Sequence, residues 1–315
     1  MGKAYDREAW AAGQQAKLAQ AREALDDGLT ALLSGDDWKR ALEAMSVAGA
    51  LSVLRFSFTN ALLVQLQRPG TQLAGTFEAW KRVGRFVRKG EKALTVLRPA
   101  VKSKQVEEKD DAGEVVATRE DRRLVGFRPH SVFALDQTEG EALASFSVPD
   151  LIGEEAFPGA VEQLRTVALA IEGDPVSSIE LRPRMPGDHP AALGWYNRAS
   201  RAIVVVTEDR SRAAIFKTLV HEVAHALLHG LSDHHSSPVR EVEAESVAFI
   251  VSHALGLETG DHSFPYVASW AQGGAKEDPL KMVAASGERI RRASWRLLEV
   301  LAPFSESQEA EGLAA

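Results

Sequence analysis

The chain of 315 residues contains no cysteine. This absence excludes disulfides and thiolate metal sites, so any metal ion must be held by histidine and carboxylate side chains. The sequence also lacks an apolar run of the roughly 18–20 residues that a membrane span requires. Its N-terminal stretch lacks the apolar core of a signal peptide. We therefore expect a cytoplasmic protein with no membrane partner.

Acidic residues outnumber basic ones in the chain as a whole, but positive charge is concentrated in one region. The net charge is −7, yet residues 50–105 contain 11 Lys and Arg against 2 Glu, a local balance of +9. A basic module within an acidic protein predicts a polyanionic partner for that module alone.

Turn signals and hydrophobic periodicity predict an α+β protein with two folded units. The first is a small α+β unit, and the second is mainly helical with a small β-sheet. Within the second unit, residues 194–206 are typical of a hairpin, and its second arm Ala202–Val206 would pair with an extended peptide if it lay at a sheet edge. The predicted boundaries are helices in 1–48, the first unit in 49–140, a linker in 141–158, the second unit in 159–303 and a disordered tail in 304–315.

The most informative motif is His221-Glu222-Val223-Ala224-His225. Histidines four residues apart lie on one face of a helix, so both imidazoles can reach a single metal ion. Glu222 follows the first ligand and can activate a metal-bound water, as in the HExxH signature of zinc peptidases. The alternative is that His221 and His225 are ordinary helix histidines with no metal. We predict one Zn²⁺ per chain.

A catalytic zinc needs a third protein ligand. The metzincin extension is excluded because it requires glycine where this chain has Leu228. His229, one turn beyond His225, is expected either to contact the ligands from behind or to act as a cation at the helix end. The oxyanion of the tetrahedral intermediate also needs a hydrogen-bond donor, for which Tyr266, Tyr196 and His234 are candidates.

The next helix carries Glu241, Glu243 and Glu245, in an arrangement that resembles the gluzincin peptidases. The resemblance implies that Glu241 is the third ligand and that Glu245 hydrogen-bonds His221 and orients it. Glu243 lies roughly 200° around the helix from Glu241 and should point away. The alternative is that the three glutamates form a solvated face.

A basic stretch over residues 80–92 contains six cations and two aromatic residues, Trp80 and Phe86. Cations can neutralise phosphates, and aromatic rings can stack on unpaired bases. The alternative is a solvated loop in which Trp80 and Phe86 anchor the core.

Three segments in this order resemble the N-terminal single-stranded-DNA-binding domain of ArdC-type antirestriction proteins: Phe58-Thr59-Asn60-Ala61-Leu62-Leu63, Thr76-Phe77-Glu78-Ala79-Trp80-Lys81 and Val87-Arg88-Lys89-Gly90-Glu91-Lys92. The downstream part resembles the ArdC zincin domain and the ImmA/IrrE metallopeptidases. The resemblance implies single-stranded DNA binding and a metal-dependent, protease-like domain. The implied DNA-binding residues, together with those of the basic stretch, are Asn60, Trp80, Lys81, Arg85, Arg88, Lys89 and Lys92.

Three functions are compatible with these features. The first is a single-stranded-DNA-binding antirestriction or mobile-element protein with a zinc-dependent metallopeptidase domain that cuts a peptide or protein substrate. The second is a regulatory ImmA/IrrE-type protease that cleaves a repressor. The third is a non-catalytic DNA-protection protein whose metal is structural.

Overall fold

A computed structural model describes residues 7–50, 56–71, 73–109, 115–141, 151–257 and 278–301. Tyr266, residues 142–150 of the predicted linker and the predicted tail lie outside the described residues. The protein is a mixed α+β structure, which confirms the predicted fold class.

The leading helices are α1 (Arg7–Ala31) and α2 (Gly35–Ala50). Neither Asp36 nor Asp37 caps α2, although both lie in its first turn. Instead the Ser34 hydroxyl accepts a hydrogen bond from the Asp37 backbone N–H at 3.2 Å, and Gly35 begins α2. Trp38 in α2 is fully buried and donates its indole N–H to the Ser246 hydroxyl at 2.9 Å. Because Ser246 shares its helix with Glu241, α2 belongs to the core behind the metal motif.

The basic module follows. Ser57 and Thr76 cap its two helices, because each side chain accepts a backbone N–H from the first turn. Its elements are α3 (Phe58–Gln67), β1 (Ala74–Gly75), α4 (Phe77–Arg82), β2 (Arg85–Val87), β3 (Leu94–Lys109), β4 (Val115–Ala134), a 3₁₀ turn (Leu135–Gln137) and β5 (Thr138–Gly140).

Strands β3 and β4 form a long antiparallel ribbon whose base carries β1, giving the order β1-β4-β3. The highly charged stretch of residues 106–122 takes part in this ribbon, because pairing continues from Leu94–Val132 out to Lys109–Val115. The base of the ribbon is packed: Leu94, Val96 and Val132 are buried there with residues of α3 and β1.

The second unit begins with α5 (Phe157–Leu169), β6 (Ser178–Arg182), β7 (Gly194–Asn197) and β8 (Ala202–Val206). The predicted hairpin is present as β7 and β8. However, the strand order is β6-β8-β7, so β8 is the central strand. The prediction that Ala202–Val206 could pair with a peptide is therefore wrong, and β6 and β7 are the two strands of this sheet that pair on one side only within the described residues.

The rest of the unit, as far as it lies within the described residues, contains the helices α6 (Arg212–Leu228), α7 (Ser237–Ala254) and α8 (Pro279–Leu301). Helix α8 also holds the basic module, because the Phe58 backbone N–H donates to Glu288 at 2.9 Å. A Cβ at Gly287 would lie 2.5 Å from the Phe58 ring, so glycine permits this close approach. None of the helices within the described residues is long and apolar enough to cross a membrane.

Candidate metal centre

Helix α6 carries the HExxH motif in a buried setting. Ser211 caps the helix by accepting the Ala214 N–H at 3.2 Å, and Phe216, Leu219, Val220 and Val223 are fully buried. Burial of this apolar face fixes the rotation of α6 about its axis. The HExxH side chains therefore face α7 and β7. The packing thus places His221 and His225 one turn apart at the same cavity.

Three side-chain donor atoms converge in this cavity. The Nε2 atoms of His221 and His225 lie 3.1 Å apart, and the Glu241 carboxylate on α7 lies 3.5 Å from each. All three ligand atoms fall within 4.8 Å of one another. Two nitrogens bound at ~2.0–2.1 Å to one tetrahedral ion would lie about 3.3 Å apart. The two histidines and Glu241 therefore fit one divalent cation.

Glu222 stands beside this cluster and is only 5 % exposed. Burial raises its pKa to about 7, and the nearby Glu241 adds to the shift. Strand β7 comes close to it, because a Cβ at Gly194 would lie 3.1 Å from the Glu222 Oε1 atom. Glu222 is thus a largely desolvated carboxyl group that can exchange a proton near neutral pH.

The remaining charges in the cluster oppose one another. Burial disfavours a charged His221, but its contacts with Glu241 and Glu245 prevail and raise the pKa of His221 to about 9. Contacts with both histidines hold the pKa of Glu241 well below its usual range. Burial lowers the pKa of His225. The carboxylates of Glu241 and Glu245 thus favour positive charge in this cluster, and His221 carries that charge as a bound proton.

The rear nitrogen of His221 is held by Glu245. Its Nδ1 lies 3.2 Å from Glu245 Oε2, the contact that the gluzincin resemblance implies, and Lys217 pairs with the other carboxylate oxygen at 2.9 Å. A carboxylate at Nδ1 holds the proton on that nitrogen and leaves Nε2 free to bind a cation.

The rear nitrogen of His225 begins a second, deeper chain of contacts. His225 Nδ1 lies 3.0 Å from His229 Nδ1, and His229 Nε2 lies 3.0 Å from Glu243 Oε2. Glu243 is fully buried and also accepts a hydrogen bond from Arg289 on α8. Glu243 does point away from Glu241, but it points into the interior. If His225 binds a cation through Nε2, its Nδ1–H donates to His229, whose Nε2–H then donates to Glu243.

The sequence signal for this chain of contacts was weak. His229 was recognisable only as a residue one turn beyond the motif, and Arg289 lies 46 residues from Glu243. A glutamate at 243 within an otherwise apolar helix face was the one available signal, because a buried carboxylate requires partners.

The cavity at the cluster has a volume of about 310 Å³. Tyr196 of β7 lines it, and burial raises the pKa of this tyrosine. Arg198 and Arg240 also line the cavity and were not anticipated from the sequence. His234 is exposed and is not among the residues that line it. Of the three candidate oxyanion donors, Tyr196 is the one that the described residues place at the cavity.

Several candidate DNA-binding residues are instead used inside the basic module. Trp80 is fully buried and donates its indole N–H to the Phe133 carbonyl at 2.8 Å. The prediction that Trp80 stacks on bases is therefore wrong, because its ring belongs to the core, as the alternative reading held. Phe86, by contrast, is 52 % exposed.

The cations of the basic stretch fall into two groups. Arg85 donates to Thr138 and to the Glu141 carbonyl, and Arg88 donates to Glu91 and to the Asp136 carbonyl. These two arginines tie β2 and the following turn to β5. Lys81, Lys89 and Lys92 are exposed, and so is Arg88, but the three lysines are not used in the ties to β5.

Asn60 has a precise internal role. Its amide NH₂ donates to the Leu97 carbonyl at 2.9 Å, and its amide oxygen accepts the Leu97 N–H at 2.8 Å. Gln67 makes the same pair of contacts with Thr95, at 2.8 Å each. Strand β3 lies at the edge of its sheet, so these two α3 side chains satisfy the backbone groups of that edge.

Replacing Asn60 with alanine is expected to destabilise the module by about 1–3 kcal/mol, since it leaves the Leu97 backbone groups without a partner. Affinity for single-stranded DNA, measured by fluorescence anisotropy below the melting transition, should stay close to that of the wild type. The matched variant Lys89→Ala should show the reverse, with unchanged melting and weaker binding. An Asn60→Ala protein that melts normally and fails to bind DNA would instead make Asn60 a DNA contact.

The basic module resembles a known domain. Residues 23–133 match the family model of the N-terminal domain of the anti-restriction factor ArdC. The match begins within α1 and ends in β4, so the matched region includes part of the leading helices as well as part of the ribbon. The domain boundary at residue 49 stays a prediction.

More distant similarities extend further along the chain. The uncharacterized protein pXO2-81 of Bacillus anthracis is 24% identical over 245 residues; the match covers 70% of this chain and 41% of that protein. The chain thus spans less than half the length of this curated relative. The metal-free crystal structure of the antirestriction protein ArdC from plasmid R388 matches with 22% identity and a TM-score of 0.44, covering 79% of this chain and 86% of that one. Its Mn(II)-bound structure has the same identity and TM-score, covering 78% and 85%.

Proposed function

We propose that this protein is a metal-dependent peptidase joined to a single-stranded-DNA-binding module, and that it acts as an antirestriction factor of a mobile element. The observation that carries the peptidase part is the convergence of His221, His225 and Glu241 within 4.8 Å, beside the buried carboxyl of Glu222. The match of residues 23–133 to the ArdC N-terminal domain supports the DNA-binding and antirestriction part.

His221, His225 and Glu241 would hold the cation, for which we propose zinc, at one ion per chain. When bound, the ion supplies Lewis-acid polarisation of a water molecule and of a substrate carbonyl. Glu222 accepts the proton of the attacking water and returns it to the leaving amine; a pKa near 7 suits both steps. Tyr196, and Tyr266 outside the described residues, are the proposed donors to the oxyanion.

Strand β7 is the proposed docking edge for the substrate. Gly194, Trp195 and Tyr196 line the metal cavity, and β7 pairs only with β8 within the described residues. An extended peptide can add to such an edge through backbone hydrogen bonds, which places its carbonyls along the cavity.

Metal removal tests the peptidase proposal. Protein stripped with a chelator is expected to cleave nothing in a mixture of peptides of varied sequence, and one equivalent of Zn²⁺ should restore cleavage, followed by mass spectrometry. Titration calorimetry in buffers of different ionisation enthalpy should show about one proton released per ion near pH 8, because the metal displaces the proton that His221 holds with a pKa of about 9.

The alternatives give different results in the same experiment. Stoichiometric metal that raises the melting temperature without any cleavage would favour a DNA-protection protein with a structural metal. Cleavage confined to one folded repressor, and unaffected by added DNA, would favour a regulatory ImmA/IrrE-type protease. No metal uptake at all would contradict the proposal.

A further inference from the structure

The β3–β4 ribbon carries a cationic face that neither the metal centre nor the basic stretch at 80–92 includes. Residues directly opposite each other in an antiparallel pair share a face, and every second residue along a strand returns to it. The pairs Arg98–Arg128, Ala100–Gly126 and Lys102–Arg123, followed by Lys104–Asp121, therefore lie on one face. We call this set of eight residues the cationic face.

This face holds five cations and one acid in a protein whose net charge is −7. Lys102, Lys104, Arg123 and Arg128 are exposed, and Arg98 is half-buried. The small residues Ala100 and Gly126 lie between the cations, so a backbone can approach the ribbon closely there. A dense, accessible patch of one sign matches a polyanion.

The opposite face of the same ribbon has a different chemistry. The pairs Pro99–Phe127 and Val101–Leu124 lie there, with Val101 53 %, Leu124 55 % and Phe127 41 % exposed. The ring of Phe127 is thus on the apolar face, and none of the eight residues of the cationic face carries a ring on which an unpaired base could stack. The next pair toward the base on that face, Val96–His130, adds a half-buried imidazole near Arg98 and Arg128. The chemistry of the cationic face suits phosphates rather than bases.

We propose that the cationic face binds the phosphate backbone of double-helical DNA, beside the single strand held by the same module. This inference rests on the proposed nucleic-acid function and adds the duplex as a second ligand at a separate surface. A two-stranded ribbon is narrow enough to enter the major groove. From Arg98 to Lys104 the strand rises about 20 Å at ~3.3 Å per residue, which corresponds to about six base pairs of duplex.

The sequence beyond Lys104 limits this surface to the inner part of the ribbon. Residues 107–114 of the sequence contain five acidic residues and one lysine, so the charge turns negative along the chain after Lys104 and disfavours phosphates there. The contact is therefore local and independent of base sequence, as expected for an end or junction of a duplex rather than for a long specific site.

The test compares two charge-altered proteins. The variant Lys102→Glu/Arg123→Glu changes one cross-strand pair of the cationic face. The matched control Ser103→Glu/Arg122→Glu changes the adjacent pair, which lies on the opposite face. All four positions are exposed, so equal melting temperatures and equal metal content are expected. Anisotropy titrations use a short single strand, the blunt duplex of the same sequence and that duplex with a single-stranded tail.

We expect the cationic-face variant to lose at least about tenfold in affinity for the duplex and the tailed duplex, and its salt slope to fall by about 2 because two phosphate contacts are lost. The control should stay within about threefold. Single-strand affinity should change little in either variant. Absence of duplex binding by the wild type, equal losses in both variants, or no loss in either would overturn the inference. Failure of the wild type to bind the single strand would contradict the proposed function instead, and the duplex titrations would still be read separately.

Discussion

Replacing Glu222 with glutamine is expected to abolish measurable peptide hydrolysis while metal binding is retained. The three converging donor atoms belong to His221, His225 and Glu241, so the amide leaves the proposed cation site intact. Removal of a general base typically costs about 10²–10⁴-fold in rate. The measurements are metal content by atomic emission and single-turnover cleavage of a peptide that the wild type cuts.

The same variant should also change stability in a pH-dependent manner. Burial raises the folded-state pKa of Glu222 from 4.5 to about 7. A carboxyl group whose pKa is higher in the folded than in the unfolded state does not lower the free energy of unfolding at a pH below its unfolded pKa. It lowers that free energy by the full amount at a pH above its folded pKa. The chelated Glu222→Gln protein should therefore be more stable than the chelated wild type at pH 8, by up to about 3 kcal/mol. This gain should disappear as the pH falls toward 4.5.

Glu241→Gln is the matched control for this experiment. It is expected to lose both metal and activity, since Glu241 supplies the third donor atom. A Glu222→Gln protein that hydrolyses peptides as fast as the wild type would remove Glu222 from the reaction. Loss of metal by Glu222→Gln would place it among the ligands.

The parts of the fold that follow local rules could be predicted from the sequence. Ser57 and the alternating residues of 194–206 each act through neighbours a few positions away, so the cap of α3 and the β7–β8 hairpin were accessible. The α6–α7 pairing was also accessible in outline, because the HExxH spacing and the glutamates of the next helix restrict which faces can meet.

Features set by distant partners could not be predicted in this way. The sheet order that makes β8 central depends on β6, about two dozen positions earlier in the chain. Trp80 had the composition of a base-stacking residue, but its ring fills the space beneath β4, where its indole N–H meets the Phe133 carbonyl. Similarly, Asn60 pairs with an unsatisfied strand edge at Leu97. In each case tertiary packing, rather than local chemistry, decides what the side chain contacts.

The deepest such feature is Glu243, whose replacement with glutamine should affect stability and metal affinity together. Glu243 is fully buried and accepts hydrogen bonds from His229 and Arg289. An amide can accept from one of these donors but presents its own NH₂ to the other. Breaking a buried ion pair costs about 3–5 kcal/mol, and we expect the lower end because the Arg289 side chain keeps 31 % exposure.

Metal affinity should fall in the same Glu243→Gln protein by about 10–100-fold, because His229 would no longer be held in the tautomer that accepts the Nδ1–H of His225. Glu245→Gln is the matched comparison. It removes the carboxylate behind His221. Because the Glu245 side chain is already 30 % exposed, this change should lower metal affinity by a similar factor with a smaller loss of stability. Calorimetric metal titration and thermal melting of the chelated proteins separate the two effects. Replacing both partners of the ion pair, as Glu243→Leu/Arg289→Met, should cost less stability than the sum of the single changes, because neither charge of that pair is then left without its counter-charge, although His229 still loses its acceptor. Wild-type melting and wild-type metal affinity in Glu243→Gln would show that the His229–Glu243–Arg289 contacts do not orient His225.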